Sequence, residues 1–345
     1  MSDQLLAPAD TISNGHPATA TLPTSLSGIR APVENDLREF KKYFRAAMRS
    51  DVRLLDRIVQ YVLRQKGKQL RPTLVLLAAR MCGEVSERTY RGAALVELLH
   101  SATLIHDDVV DEAEKRRSMF SINALWKNKI SVLFGDFLLS RGLLLALDSN
   151  DYDLLHTMSE AVRRMSEGEL LQIEKSRRLD IDEETYFRII SDKTASLMSA
   201  CTVSGAVSVD APPQTIDQMR QLGEKLGLAF QIRDDLFDFG DRRSGKPVGI
   251  DLKEKKMTLP LIHALAKADR SERRRVMAIV RRDTKSPDDL SVVTEFVGRL
   301  GGIDYARIQM RRLADEARQI VDAHPPSDAQ RSMAGLIEYT INRSR

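Results

Sequence analysis

Apolar residues recur at intervals of three and four over a long proline-free part of the chain, residues 73–211. Leu95, Leu98, Leu99 and Ala102 illustrate this spacing, which places apolar side chains on one face of an α-helix. The Asn-Gly and Asp-Gly pairs that are typical of tight hairpins are absent from the same part of the sequence. The pattern therefore predicts long amphipathic helices rather than strands.

Polar and glycine-containing breaks divide this helical region. We predict helix boundaries at Gly83, at residues 148–150, at Asp180 and at residues 210–213. The apolar stripes between these breaks are wide enough to face a common centre. We therefore expect an all-α, single-domain helix bundle over residues 33–345, with a central apolar cavity.

The first 32 residues lack the apolar period. They contain Pro8, Pro17, Pro23 and Pro32 among serine, threonine, alanine and glycine residues. Such a composition cannot bury much apolar surface, so residues 1–32 are predicted to be a flexible N-terminal tail.

Composition narrows the class of protein. The chain has 345 residues, of which 42% are hydrophobic and 30% are charged, as in a soluble globular protein. A net charge of +4 is small for this length and does not favour binding to nucleic acid. No uninterrupted apolar run approaches the ~18–20 residues that span a bilayer, and no N-terminal signal sequence is evident. Cys82 and Cys201 lack metal-ligand spacing, which indicates a reducing compartment, and we expect a cytoplasmic protein.

Two acidic pentapeptides carry the candidate chemistry. Asp107, Asp108 and Asp111 end one apolar stretch, and the same spacing recurs in a second stretch at Asp234, Asp235 and Asp238. On a helix each set presents three carboxylates within one turn, which repel one another unless a cation compensates them. Because Mg²⁺ prefers carboxylate ligands and keeps positions open for phosphate oxygens, the repeat predicts a divalent-cation site for a diphosphate substrate.

Basic residues surround the acidic pentapeptides in the sequence. Taken singly, each is more typical of a solvated surface cation than of a ligand. Taken with two metal clusters, they complete a diphosphate site, since paired cations and helix N-termini both bind phosphate. The set comprises Lys68, Arg71, Arg116, Arg117, Lys193, Lys246, Lys255 and Lys256, with Thr194 beside Lys193.

The order of these motifs resembles the trans-isoprenyl diphosphate synthases, or polyprenyl synthetases, and most of all their long-chain octaprenyl and solanesyl types. The resemblance covers about residues 35–345. It rests on both acidic pentapeptides, on Gly67-Lys68-Gln69-Leu70-Arg71-Pro72, Glu97-Leu98-Leu99-His100, Gly168-Glu169 with Gln172, Lys193-Thr194-Ala195, Phe230-Gln231-Ile232 and Gly245-Lys246-Pro247-Val248-Gly249-Ile250-Asp251-Leu252.

The resemblance implies an all-α homodimer that binds three Mg²⁺ ions, isopentenyl diphosphate and an allylic diphosphate. It assigns metal binding to Asp107, Asp108, Asp111, Asp234, Asp235 and Asp238. It assigns isopentenyl diphosphate to Lys68, Arg71, His100 and Arg117, and the allylic diphosphate to Arg116, Lys193, Thr194, Gln231, Lys246 and Lys256. The basic end Arg343-Ser344-Arg345 resembles a segment that helps to close the site in some members.

Three positions depart from the family pattern. Ser118, Lys127 and Lys255 stand where a glycine is frequent. None of them removes a ligand, but Lys255 leaves open which of Lys255 and Lys256 reaches phosphate.

Product length is predicted from the residues before the first pentapeptide. Ala102 and Thr103 are small where short-chain relatives carry bulky aromatic residues, and Leu99 comes next along the face. We therefore expect a medium-to-long all-trans product, octaprenyl-like and a precursor of a quinone side chain. A farnesyl or geranylgeranyl synthase is the alternative. A lipid-like product also predicts transient peripheral contact with a membrane.

Three other classes of protein were weighed against this interpretation. A metal phosphohydrolase using His106 and Asp107 would need further histidines in the right order. A terpene cyclase normally replaces the second aspartate motif. A non-catalytic subunit of a heteromeric prenyl synthase tends to lose carboxylates, whereas all six remain here.

Overall fold

Helices form almost all of the fold, as the apolar period predicted. The computed structural model describes residues 21–64, 67–116, 119–239 and 249–343, and 16 α-helices lie within those ranges. Their bounds are α1 Leu26–Arg30, α2 Glu34–Ala47, α3 Arg53–Arg64, α4 Leu70–Cys82, α5 Glu87–Val110, α6 Ile122–Leu147, α7 Tyr152–Arg178, α8 Glu183–Ile190, α9 Ser196–Val207, α10 Pro213–Phe237, α11 Ile250–Lys253, α12 Leu259–Lys267, α13 Arg270–Val280, α14 Pro287–Arg299, α15 Gly302–Asp322 and α16 Asp328–Asn342.

Short irregular elements join some of these helices. A 3₁₀ turn, Ala31–Val33, leads into α2, and a π-helical turn, Ser191–Ala195, separates α8 from α9. Strands β1 Lys115–Arg116 and β2 Met119–Phe120 form an antiparallel pair between α5 and α6.

The four predicted breaks coincide with helix ends. Gly83 caps α4 and donates its N–H to the carbonyl of Ala79, while the breaks at 148–150, Asp180 and 210–213 fall between consecutive helices. Side-chain caps explain several starts, because they satisfy amide groups that lack a partner within the helix. Ser86 and Thr89 form such a capping box at the start of α5.

The core is built around α9. Eleven of its 12 residues are buried, and it packs against α4, α5, α7 and α10. The two acidic pentapeptides lie at the C-terminal ends of α5 and α10. They are therefore on different core helices, as predicted.

The last residues of the predicted tail are helical. Helix α1 and the start of the 3₁₀ turn lie before residue 33, and α1 packs against α16, whereas residues 1–20 lie outside the described part of the chain. Ser25 caps α1, and Ile29 and Val33 are fully buried. Pro32 occupies the first turn of the 3₁₀ segment, where a missing N–H costs nothing, so its presence did not indicate an unfolded chain.

Helix α6 is longer and more apolar than the search for uninterrupted runs indicated. Among the described residues it is the one helix long and apolar enough to cross a membrane by length and composition, with 33% of the relevant window buried. It packs lengthwise against α5, and Asp136 and Arg141 interrupt its apolar sequence. The remaining apolar face is exposed.

Candidate active site

The first aspartate cluster lies at the C-terminal end of α5. Asp107 and Asp108 belong to the last turn of the helix, and Asp111 caps it. Burial raises the pKa of Asp107, and the negative charges of Glu169 and Asp111 raise it further. The positive charges of Arg116 and Lys193 act in the opposite direction.

Asp108 has a cationic partner of its own. Its side chain is only 3% exposed, accepts a hydrogen bond from Arg116 Nε at 2.7 Å, and forms an ion pair with Arg116 Nη2 at 2.6 Å. Arg116 reaches it because the β1–β2 pair folds back over the end of α5. Two side chains at the start of α6 stabilise this segment. Ser121 Oγ donates to the carbonyl of Ala113, and Asn123 Nδ2 donates to the carbonyl of Asp108.

The second cluster lies at the C-terminal end of α10 and is centred on Asp235, which is fully buried. Its carboxylate accepts three hydrogen bonds from separate elements. The donors are the Tyr186 hydroxyl at 2.7 Å, Gln231 Nε2 at 2.9 Å and Lys256 Nζ at 3.0 Å. Since each donor comes from a different part of the chain, the position of Asp235 is determined by α8, α10 and the segment after α11.

Lys256, rather than Lys255, points into this cluster. Lys255 pairs with the exposed Asp283 at 2.5 Å, whereas Lys256 contacts Asp235 and, at 3.4 Å, Asp251. Burial alone would lower the pKa of Lys256, but the two carboxylates outweigh it and raise that pKa.

Two further aspartates of the second cluster are held by the backbone or the chain end. Asp238 Oδ1 accepts the N–H of Gly249 at 3.0 Å. Asp234 forms an ion pair with Arg343, whose guanidinium also lies 4.0 Å from the ring centre of Phe230. Arg343 thus lies against the second cluster, while a role of the basic end in closing the site stays a prediction, and Ser344 and Arg345 lie outside the described residues.

The π-helical turn connects the two clusters. Lys193 pairs with Glu169 of α7, whose charge also acts on Asp107, and lies 3.4 Å from Oε1 of Gln172. The next residue, Thr194, donates its hydroxyl to Gln231 Oε1 at 2.9 Å. Two successive residues of this turn therefore serve the two clusters: Lys193 pairs with Glu169, whose charge acts on Asp107, and Thr194 is linked through Gln231 to Asp235.

The predicted isopentenyl diphosphate residues lie on α4 and α5. Lys68 precedes α4 and is exposed, Arg71 lies in the first turn of that helix, and His100 lies two turns before Asp107 on α5. Helices α4 and α5 pack against each other. Arg117 and Lys246, the remaining predicted phosphate ligands, lie outside the described residues.

The predicted chain-length residues line the packed face of α5. Ala102 and Leu99 are each 2% exposed, and Thr103 is partly buried. Ala102 belongs to an apolar cluster with Phe134 and Leu138 of α6. Phe134 is a fully buried core residue, and the elongation path beside Ala102 stays a prediction.

Two residues of the site, Tyr186 and Asp251, were not predicted from the sequence. Tyr186 has the spacing of an ordinary apolar-face residue, so its hydroxyl gave no signal. Asp251 lies within a quoted motif but was not assigned a role. Burial and the nearby charges of Asp235 and Asp238 raise the pKa of Asp251 to about 6, although Lys256 opposes the shift.

The donor set fits a divalent cation. In the part of the chain that the structure describes, no three His, Cys, Asp or Glu side chains form a ready-made metal site. However, each cluster brings carboxylates close together: Glu169 and Asp111 act on Asp107, and Asp235 and Asp238 act on Asp251. Grouped carboxylate oxygens are the environment that Mg²⁺ and similar hard cations prefer.

An all-α bundle with two such clusters, lined by cations between them, defines a prenyltransferase that acts on diphosphates. The profile of the polyprenyl synthetase family matches residues 52–297, and the chain belongs to that family.

Similar proteins agree with this assignment. The chain is 34% identical to octaprenyl diphosphate synthase of Escherichia coli (strain K12) over 300 residues, which is 86% of this chain and 93% of that protein. It resembles the crystal structure of a decaprenyl diphosphate synthase from Rhodobacter capsulatus with a TM-score of 0.86 and 33% identity, covering 93% of this chain and 100% of the other. It also resembles a polyprenyl synthase from Caulobacter crescentus CB15 complexed with calcium and isoprenyl diphosphate, with a TM-score of 0.84, 31% identity and coverages of 93% and 99%.

Proposed function

We propose that this prenyltransferase condenses isopentenyl diphosphate with an allylic diphosphate between the ends of α5 and α10. The observation that carries the proposal is that the turn between α8 and α9 serves both aspartate clusters: the charges of Lys193 and its partner Glu169 act on Asp107, and Thr194 bonds to Gln231, which bonds to Asp235. The similarity to a polyprenyl synthase complexed with calcium and isoprenyl diphosphate supports it.

The metal-binding set proposed for this reaction is Asp107, Asp108, Asp111, Asp234, Asp235 and Asp238. When bound there, Mg²⁺, expected as three ions, would supply positive charge for the departing diphosphate. Lys193, Lys256 and Arg116 would bind the remaining phosphate oxygens, and they already lie beside carboxylates of the site. We propose the same role for Lys246, and we assign Lys68, Arg71, His100 and Arg117 to isopentenyl diphosphate.

The reaction balances without a protein nucleophile. The allylic C–O bond breaks and its electron pair leaves with the diphosphate, after which the alkene of isopentenyl diphosphate attacks the cation. A proton then passes to the released diphosphate. Gln231 donates to Asp235 and accepts from Thr194, so its amide is fixed in one orientation with its oxygen towards Thr194. Gln231 Oε1 and the hydroxyl oxygen of Thr194 would stabilise the allylic cation electrostatically.

We propose a medium-to-long all-trans product, most like an octaprenyl chain. Ala102 and Thr103 are small, and the face beyond them is aliphatic at Leu99. The similar octaprenyl and decaprenyl synthases support a long product. Shorter farnesyl or geranylgeranyl products are the competing outcome.

We further propose that the protein is a cytoplasmic homodimer that pairs through α6. The exposed apolar residues of this helix are Leu125, Val132, Leu133, Leu144 and Leu147. A second copy of α6 would cover them, and an exposed apolar face of this extent marks an interaction surface. Sedimentation velocity should therefore show a dimer, and L133E should yield a monomer. Peripheral membrane contact is proposed for release of the product.

The function is tested with purified protein, Mg²⁺, farnesyl diphosphate and labelled isopentenyl diphosphate. We expect extraction of an apolar labelled product, its length read by mass spectrometry, and loss of turnover in EDTA that Mg²⁺ restores. D107N should abolish turnover, and the matched control D304N, at an aspartate whose side chain is 77% exposed, should not. Absence of product under all metal conditions would instead favour a non-catalytic subunit.

A further inference from the structure

The π-helical turn Ser191–Ala195 interrupts an otherwise continuous helical segment that runs from Glu183 to Val207. Its wider ring is visible in the N–H of Ser196, which bonds to the carbonyl of Ser191, five residues earlier. Ser196 Oγ also donates to the carbonyl of Asp192 at 2.5 Å. Such turns have poorer backbone geometry than a regular helix, so side-chain contacts must hold them in place.

Arg164 of α7 and Glu224 of α10 supply those contacts at the first two residues of the turn, Ser191 and Asp192. Arg164 donates from Nε to Asp192 Oδ1 at 2.8 Å and from Nη2 to Ser191 Oγ at 2.7 Å. Glu224 accepts from Arg164 at 3.3 Å and from the Ser191 hydroxyl. The side chains of Arg164, Asp192 and Glu224 are between 20% and 27% exposed, so water weakens this network only in part.

The two flanking helices grip the turn in the same way. Along one face, α7 presents Arg164, Gly168 and Gln172, and α10 presents Glu224, Gly227 and Gln231, at spacings of three or four residues. On each helix the charged residue contacts the start of the turn. The glutamine of α7 contacts Lys193, and the glutamine of α10 contacts Thr194.

The two glycines allow the helices to approach this closely. A Cβ atom at Gly168 would lie 2.8 Å from the backbone nitrogen of Lys193, and one at Gly227 would lie 2.5 Å from Cα of Ala195. Both distances are shorter than a real Cβ contact. The π turn is therefore enclosed between the backbones of α7 and α10, with the charged contacts at Ser191 and Asp192 and the predicted phosphate residues directly after them.

We propose that Arg164 and Glu224 are positioning residues, which clamp the π turn so that Lys193 and Thr194 face the allylic diphosphate. This inference rests on the proposed assignment of Lys193 and Thr194 to that substrate. Neither positioning residue touches substrate. The clamp acts on Ser191 and Asp192, and the allylic substrate is assigned to the next two residues, so loss of the clamp should weaken allylic binding and spare isopentenyl diphosphate.

The kinetic test compares R164A with R163A. Arg163 is the adjacent residue on α7, and it pairs with Glu160 and Glu167 on the exposed helix surface. R164A should raise KM for farnesyl diphosphate about tenfold or more, the size expected on loss of hydrogen bonds to a charged group. KM for isopentenyl diphosphate should stay within about twofold in both variants, as should every constant of R163A.

A double-mutant cycle separates positioning from general structural support. If Arg164 acts by positioning Lys193 and Thr194, adding R164A to K193A should raise KM for farnesyl diphosphate by a smaller factor than R164A does in the wild type, because only Thr194 is left to be misplaced. Independent, multiplying effects of the two substitutions would overturn the proposal. Equal increases in KM for both substrates would overturn it as well, because they indicate a general loss of structure.

A second readout does not depend on turnover. Backbone amides of residues 193–196 should exchange with deuterium faster in R164A than in R163A or the wild type, measured by mass spectrometry. Unchanged exchange would refute the clamp even if the enzyme is active. If no form of the protein elongates farnesyl diphosphate, the proposed function fails while the exchange result still decides the clamp.

Milder variants keep the inference testable if R164A does not fold. In R164K one ammonium group replaces a guanidinium that binds both Ser191 and Asp192, and E224Q keeps the shape of Glu224 without its charge. Both should raise KM for farnesyl diphosphate by less than R164A and in the same direction. No change in either variant would refute the clamp.

Discussion

Replacing Lys127 by glycine should stabilise the protein, although glycine normally weakens a helix. Lys127 lies inside α6 with φ 70° and ψ 166°, which kinks the helix after its first turn. This backbone conformation is essentially restricted to glycine, because a Cβ atom clashes with the neighbouring peptide groups. Ser131 Oγ donates to the carbonyl of Lys127 at 3.0 Å and so binds an oxygen exposed by the kink. The helix is thus kinked at Lys127 although lysine is unfavourable in this backbone conformation.

The magnitude follows from two opposing effects. A non-glycine residue in this region costs about 1–3 kcal/mol, which K127G would recover. Glycine also gives the unfolded chain more freedom, which lowers stability by about 0.4–1 kcal/mol. The net increase in the free energy of unfolding is therefore about 1 kcal/mol. For a chain of 345 residues this raises the melting temperature by about 1–2 °C.

Two matched variants isolate the backbone effect, and all three are compared by thermal denaturation. K129G removes the same charge from the regular part of α6 and should lose about 1 kcal/mol. K127A removes the same side chain but keeps Cβ, so it should not reproduce the gain. A melting temperature of K127G at or below that of the wild type, or equal gains in K127G and K127A, would refute the reasoning.

Three further predictions concern the site. Y186F removes the hydroxyl that donates to Asp235, so the free energy of unfolding should fall by about 2 kcal/mol in thermal denaturation. The raised pKa of Asp251, about 6, means that this residue destabilises the folded state above that pH and that the cost is relieved as the pH falls towards 4. With both proteins in EDTA, the melting temperature of D251N should therefore exceed that of the wild type by the largest margin above pH 6. A102Y would project a ring against Phe134 in the face of α5, and the product should shorten to about farnesyl or geranylgeranyl length by mass spectrometry.

Each of these three has a control and an opposing outcome. Tyr152 is 60% exposed and bonds to Asn150, so Y152F should be nearly neutral, and equal losses in Y152F and Y186F would argue against the Asp235 network. Asp283 is exposed and its pKa is lowered by Lys255, so D283N should not reproduce the pH-dependent gain of D251N. An unchanged product distribution in A102Y would remove the argument for a tail path along α5.

Local patterns predicted the helices and the two aspartate clusters because both depend on short-range spacing. A period of three to four residues indicates α5 and α10, and three carboxylates in one turn are evident in the sequence itself. Tyr186 and Asp235, which are hydrogen-bonded, lie 49 positions apart in the sequence. Arg164 and Asp192 of the π turn lie 28 positions apart. No local period encodes such contacts. The ordered N-terminal residues were missed for the opposite reason, because proline was given too much weight.

The single additional residue in the turn at Ser191–Ala195 also fixes the phase between two helices. Deleting one residue there would leave nearly every side chain of the site present, yet it would rotate α9 by about 100° relative to α8 and shift it by about 1.5 Å. Because 11 of the 12 residues of α9 are buried, the helix has no free surface on which to absorb that rotation. Changes in chain length at this point should therefore be tolerated far less than substitutions, and a library of deletions would detect a constraint that an alanine scan overlooks.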